Sequence, residues 1–273
     1  MTRLEYTFKN DTLFKMLFVK NPGLLKNLVC ELLQIQMESI SQFVITNPEM
    51  PSEAMGEKFC RLDIHMVVDG QHITLEIQVR NEGDFPERIM YQWARVYSSS
   101  LESGGDYKKL PRTVIISIIN FNQLGCAEFH SEFRPLEVSR HEELTDKMAL
   151  HFFELRKLPE DISDKNMVKL WLALFKAETQ EELDKIKSME VSVMEQAINA
   201  YNTVTVSPEF REMERLRLIA RHNEASALRF EREEGKLEGK LEGKLEGKLE
   251  IIELLKSGKS PEELIREYES KNN

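Results

Sequence analysis

Residues 58–80, KFCRLDIHMVVDGQHITLEIQVR, decide the fold. In the first half Leu62, Ile64, Met66 and Val68 alternate with Arg61, Asp63 and His65; in the second, Ile73, Leu75, Ile77 and Val79 alternate with Thr74, Glu76 and Gln78. A period of two gives each half one apolar and one polar face, the pattern of a strand covered on one side. Asp69-Gly70 between them is a strong signal for a two-residue hairpin turn, whose central positions need positive φ. With Val68 opposite Gln71, paired residue numbers sum to 139. Ile64 then meets Leu75, Met66 meets Ile73, Arg61 meets Gln78, and Asp63 falls directly opposite Glu76.

Cross-strand neighbours lie roughly 4.5–5.5 Å apart at Cβ, where like charges destabilise the sheet. Solvation relieves such a pair, and so does neutralisation by Arg61 or Lys58. A hard divalent cation is the third solution: Mg²⁺ typically takes one or two protein carboxylates, keeps several waters and leaves positions for substrate phosphates. The residues alone leave these three readings open.

Outward from the hairpin, NDTLFKMLFV at residues 10–19 places Leu13, Phe14, Leu17 and Phe18 at helical spacing, with Asn10 as N-cap and Asp11 in the first turn. Asn21-Pro22-Gly23 breaks that helix, and GLLKNLVCELLQI supplies a second one with Leu24, Leu28, Leu32 and Ile35 on its core face. Residues 40–46 read as a strand. After the hairpin a helix runs from about Phe85 to Leu101, with Ile89, Trp93, Val96 and Tyr97 inward and Ser98 to Ser100 at its end. TVIISIINF, residues 113–121, is apolar and β-branched, as suits a strand buried on both faces. LHFFELRKL, from Leu150, is a further strand that closes a first domain near Pro159. This order predicts an α/β fold with a mixed sheet flanked by helices.

Beyond residue 160 the pattern turns helical, and the expected division is 1–160, a helical region at 161–230, a spacer or helix at 231–250 and C-terminal helices at 251–273. Residues 235–250 hold GKLE four times in succession. Each repeat advances about 40° round a helix, so its leucines drift in the right-handed sense and form no heptad seam. Spacing of four stacks Lys over Lys and Glu over Glu, and each Gly costs ~1 kcal/mol relative to Ala. An isolated segment of this kind is a marginal helix, either a solvated spacer or an oligomerisation stripe.

Composition narrows the function. The net charge is −10 and the apolar fraction 41%, so the chain is acidic and able to bury a core, without the basic bias of tight non-specific duplex binders. A local groove for nucleic acid remains compatible with that. Three cysteines, Cys30, Cys60 and Cys126, without C-x-x-C spacing suit a reduced, cytoplasmic chain. No signal-peptide core or long apolar run points to secretion or a membrane. The six histidines lack zinc-type spacing, His65 opposite Thr74 reads as a surface residue, and Trp93 and Trp171 read as core.

Taken in order, DTLFKMLF, RLDIHMVVDG, LEIQV, ERIMYQWARVYSSSLESGGDYKKL and TVIISIINF resemble the PD-(D/E)XK nuclease family transposases, the group that includes the recombination-promoting nucleases. The resemblance covers about residues 1–160, and the Gly/Glu/Lys tail is similar to that of many members. It implies a restriction-endonuclease-like core, α-β-β-β-α-β, followed by an all-helical C-terminal region. It also implies Mg²⁺, with Mn²⁺ or Ca²⁺ as alternatives, held by Asp63, Glu76 and the backbone carbonyl of Ile77. Asp11 resembles the acid that some members add to that site, and Gln78 stands where the motif lysine is usual. Tyr91 and Gln92 face near the site in related folds. Leu62 replaces the motif proline, a common variation.

The glutamine is the more serious departure, because lysine can hold the attacking water and offset phosphoryl charge whereas glutamine only orients water. Lys58 or Arg61 is then expected to supply the missing charge. The function implied is a metal-dependent DNA endonuclease that promotes recombination or acts in mobile-element or phage defence. The alternative is a catalytically weakened member that binds DNA or a protein and is regulated by its C-terminal helices. DNA is the expected partner, with a homo-oligomer and a regulatory contact to the chain's own C-terminal region as further expectations.

Overall fold

The computed structural model describes residues 2–46, 64–101, 104–160 and 162–271, with side chains to residue 266. Two compact units divide the chain, Met1–Glu214 and Arg215–Asn273.

The first unit is built on a six-stranded mixed sheet. Helices α1 (Asp11–Lys20) and α2 (Pro22–Leu33) precede β1 (Phe43–Ile45) and the hairpin strands β2 (Ile64–Val68) and β3 (Gln71–Gln78). Helix α3 (Phe85–Ser99) leads to β4 (Thr113–Ile119), followed by β5 (His130–Phe133) and β6 (Met148–Glu154). The strand order is β1-β2-β3-β4-β6-β5, with β3, β4 and β6 parallel and the remaining pairs antiparallel. This is the mixed, helix-flanked sheet expected from the sequence.

Local signals explain most element boundaries. Asn10 caps α1, accepting a hydrogen bond from Leu13 N–H at 2.9 Å, and Pro22 opens α2 directly after the break. The hairpin pairs Val68 with Gln71, Met66 with Ile73 and Ile64 with Leu75, the register set by the Asp69-Gly70 turn, whose φ values are 46° and 79°. All of β4 is buried, as its composition requires.

The two faces of the sheet carry different cores. On one, Ile64, Met66, Val68, Ile73, Leu75, Val114 and Phe153 pack with α1 and α2. On the other, Ile115, Ile119, Leu150 and Phe152 pack with Phe85 and Ile89 of α3.

The expected boundary at residue 160 is not where the fold divides. Helices α4 (Met167–Lys176), α5 (Gln180–Lys187) and α6 (Ser192–Val206) contribute Trp171, Phe175, Leu183, Ile198 and Tyr201 to the same core as Phe14 and Phe18. Phe210, from the start of α7 (Pro208–Lys256), joins it as well and meets the Tyr6 ring at 4.8 Å. The reason is geometric: Phe14 and Phe18 need cover, and α4 supplies it with the rings of Trp171 and Phe175.

In the second unit the GKLE repeats are helical turns within α7, with Leu237, Leu241, Leu245 and Leu249 exposed. The unfavourable composition is outweighed by context, since flanking helix removes the nucleation cost that an isolated segment faces. Helix α8 (Pro261–Lys271) follows. Nothing lies within 4 Å of a Cβ built at Gly239 or Gly243. The double Gly→Ala variant is therefore expected to strengthen α7 by about 2 kcal/mol in total, read as slower amide hydrogen exchange across 235–250.

Candidate active site

Strand β3 alternates between the two cores, and its even-numbered residues lie on the α3 face. Glu76 pairs in register with Ser117 of β4, which sits between Ile115 and Ile119 on that face. The Glu76 side chain is only 2% exposed, and Ser117 Oγ donates to its Oε1 at a long 3.5 Å. A carboxylate so placed demands compensation, because an ionised group removed from water needs charge or hydrogen-bond partners.

Gln78, one pleat further along, is 8% exposed, and its Nε2 donates to the Arg80 carbonyl at 2.7 Å. That bond turns the amide nitrogen along its own strand and leaves Oε1 as an acceptor. His72 N–H bonds Arg112 and the Gln78 carbonyl accepts from Asn120, so even-numbered residues of β3 make the ladder to β4. The Ile77 carbonyl is accordingly turned to the β2 side.

Of the other residues singled out from sequence, Asp11 is half-buried at the first position of α1, and Gln92 is half-buried on α3. Tyr91 is 64% exposed, with the Arg95 guanidinium 6.0 Å from its ring centroid. Asp63, Lys58 and Arg61 lie outside the described residues. The register described for residues 64–68 with 71–75 is the one expected from the sequence.

His65 differs from the surface residue expected. It is half-buried on β2, bonded through Nδ1 to Thr74 Oγ1 at 2.9 Å. Burial lowers its pKa, and the charges of His72, Lys15 and Arg95 lower it further. Those contributions bring out a residue missed from sequence. Lys15 is only 7% exposed although it belongs to a helix read as amphipathic, and its charge acts on the polar side of the hairpin. Asp11 lies one turn before it on the same stripe of α1. The one signal available in sequence was that spacing of four.

Among the described residues no group of three or more His, Cys, Asp or Glu could hold a metal ion. The donors present, the Glu76 carboxylate, the Ser117 hydroxyl and the Ile77 carbonyl, are all hard oxygens, which suit Mg²⁺ or Ca²⁺ and not a thiolate-bound metal.

A family model for PD-(D/E)XK nuclease family transposases matches residues 8–231. The chain belongs to that family. The match runs past β6 through α4–α6 into α7, so the helices that complete the core are part of the family unit, and the GKLE repeats lie outside it. Membership in the PD-(D/E)XK family gives the restriction-endonuclease-like fold and points to a nuclease-type function with DNA as substrate. PD-(D/E)XK nucleases generally use divalent metal ions. No curated protein and no solved structure matches the chain. No helix among the described residues is long and apolar enough to cross a membrane.

Proposed function

We propose that this protein is a metal-dependent DNA endonuclease that hydrolyses phosphodiester bonds at the open side of the β2–β3 hairpin, in recombination or in defence against mobile DNA. The observation that carries the reading is Glu76, a carboxylate buried on the polar face of β3 within a family of nucleases. Asp63, Glu76 and the Ile77 carbonyl are the groups that would hold the cation, with Asp11 as an additional acid. Bound there, Mg²⁺ supplies a water of lowered pKa and positive charge against the scissile phosphate. Gln78 accepts a hydrogen bond from the attacking water through Oε1 and so fixes its direction. Gln92, from the helix that covers this face, is assigned to positioning the site.

Gln78 brings no charge, and we assign Lys15, a buried cation whose charge reaches His65 on the polar face of the hairpin, to offset charge at the phosphoryl group, beside any contribution from Lys58 or Arg61. Lys15→Met is expected to slow cleavage about a hundredfold without loss of fold, and Lys15→Arg to recover part of that rate. Equal rates for all three proteins would remove Lys15 from the site.

The Gln78 bond to Arg80 favours a second reading, a member that binds DNA with little cleavage. Plasmid cleavage separates the two: supercoiled DNA is incubated with purified protein in Mg²⁺, Mn²⁺ or EDTA, beside Asp63→Ala and Glu76→Ala. Metal-dependent nicking lost in both variants supports the nuclease. Binding of DNA by the folded wild type with no cleavage in any metal supports the second reading.

A further inference from the structure

The face of the sheet opposite Glu76 holds a pocket of ≈ 360 Å³. Its base is the turn end of the hairpin and the start of β4, where Asp69 and Arg112 sit beside Glu132 and His151 from β5 and β6. Its other wall is the end of α2 and the segment that follows it, with Leu33 and Ile40. From there to Glu76 is five residues along β3, roughly 16 Å, and the two sites lie on different faces. They are separate.

The polar groups of this pocket are unequally satisfied. Asp69 Oδ1 accepts from Ser41 N–H at 3.1 Å and Gln42 N–H at 2.7 Å. Glu132 is paired with Arg134 Nε at 2.9 Å. The acids are thus engaged. By contrast, Arg112 Nε and His151 Nε2 are buried and have no hydrogen-bond partner among the described residues. Glu132 Oε1 stands 3.9 Å from His151 Nε2, too far for a hydrogen bond. Leaving buried donors unsatisfied is costly, the more so for a charged guanidinium, and native folds tolerate it where something else completes the bond.

His151 is 6% exposed, and its Nδ1 shares a proton with His130 Nε2 at 3.1 Å. Burial, reinforced by His130, Arg112 and Arg134 against the pull of Glu132, lowers its pKa to about 4. At neutral pH the ring is therefore uncharged. When His130 donates to Nδ1, His151 carries its own proton on Nε2, pointing a neutral donor beside the Arg112 cation.

We propose that this pocket binds a small organic carboxylate, its head on Arg112 and His151 and its apolar body against Leu33 and Ile40. The volume is in the range of small-molecule sites, and the lining divides into an apolar side, with Leu33, Ile40 and Val114, and a group of convergent polar side chains. A carboxylate matches the guanidinium fork. A phosphate dianion fits less well, because Asp69 and Glu132 add repulsion with each further negative charge.

The test uses the full-length protein and titration calorimetry with benzoate, hexanoate, benzyl alcohol and inorganic phosphate. Benzoate or hexanoate is expected to bind saturably, and benzyl alcohol and phosphate more weakly. Arg112→Gln is expected to weaken carboxylate binding about ten- to a hundredfold. Ser39→Trp, which fills the pocket from its exposed rim without touching a charge, is expected to weaken it as well, with thermal unfolding showing that both variants fold. Absence of saturable carboxylate binding, binding unchanged in both variants, or phosphate bound more tightly than benzoate would each overturn the assignment. Plasmid cleavage plays no part in the readout, so this result and that for the nuclease stand apart.

Discussion

Glu76→Gln is expected to reduce metal-dependent cleavage by about three orders of magnitude while leaving the apo protein at least as stable as the wild type. The two halves of that expectation have one cause. The Glu76 carboxylate is 2% exposed and accepts a long hydrogen bond from Ser117 Oγ. Without a cation, the desolvation of a charged group works against the fold, and an uncharged amide of the same shape removes that penalty. With Mg²⁺ present the balance reverses. A metal ligand contributes several kcal/mol of charge stabilisation in the transition state, which converts to roughly a thousandfold in rate. Wild type should also gain thermal stability on adding Mg²⁺, by mass action on the native state, and the variant should not. Plasmid nicking time courses and thermal unfolding in Mg²⁺ and in EDTA measure both halves. A folded Glu76→Gln that nicks at the wild-type rate ends the metal-ligand assignment; a variant that is much less stable in EDTA makes Glu76 a structural residue instead.

The hairpin was legible because its information is local. Alternation of Ile64, Met66 and Val68 with the polar residues gives the faces, and Asp69-Gly70 gives the register, so the pairing of residues 64–68 with 71–75 follows from twelve consecutive positions. Asn10 as N-cap and β4 as a fully buried strand are local in the same sense. What escaped is set by contacts distant in sequence. Lys15 lies between Phe14 and Met16 on a helix whose period marks one apolar stripe, and a periodic reading assigns such a lysine to solvent. In the fold α1 is enclosed from Thr12 to Phe18, so the same lysine becomes a buried charge. His65 was misread for a related reason, since a polar face opposite Thr74 looks solvated until α1 and α3 are brought beside it. The pocket at Arg112 and His151 joins residues from five segments of the chain, and no motif links them. The GKLE repeats illustrate the opposite error, in which local propensity is correctly poor and the neighbouring helix decides.

Removal of the helices beyond residue 160 is expected to unfold the nuclease domain, and the effect should be visible in a single substitution. Trp171 on α4 is fully buried, its ring centroid 6.0 Å from that of Phe18, and its Nε1 donates to Asn27 Oδ1 at 2.9 Å. It therefore ties α4 to both α1 and α2. Trp171→Ala should cost about 3–5 kcal/mol, because the loss of so large a ring leaves a cavity that the neighbours fill only in part. Against the ~5–15 kcal/mol that typical domains possess, that is a large fraction. A chain ending at 160 would lose Phe175, Ile198, Tyr201 and Phe210 as well, and would expose the side of α1 that carries Phe14 and Phe18. It should be insoluble or lack cooperative unfolding. A chain ending at 214 keeps Phe210 against Tyr6 and Glu214 against the Asn10 side chain at 3.0 Å, and should unfold in one cooperative step. This also determines how the C-terminal region is tested for regulation: a cut near 205 removes Phe210 from the core and confounds loss of restraint with loss of fold, whereas a cut after 214 removes only the second unit. Denaturant unfolding of the two truncations beside Trp171→Ala decides the matter. If the 160-residue chain unfolds cooperatively at the full-length midpoint, the later helices are an accessory to the nuclease and not part of its core.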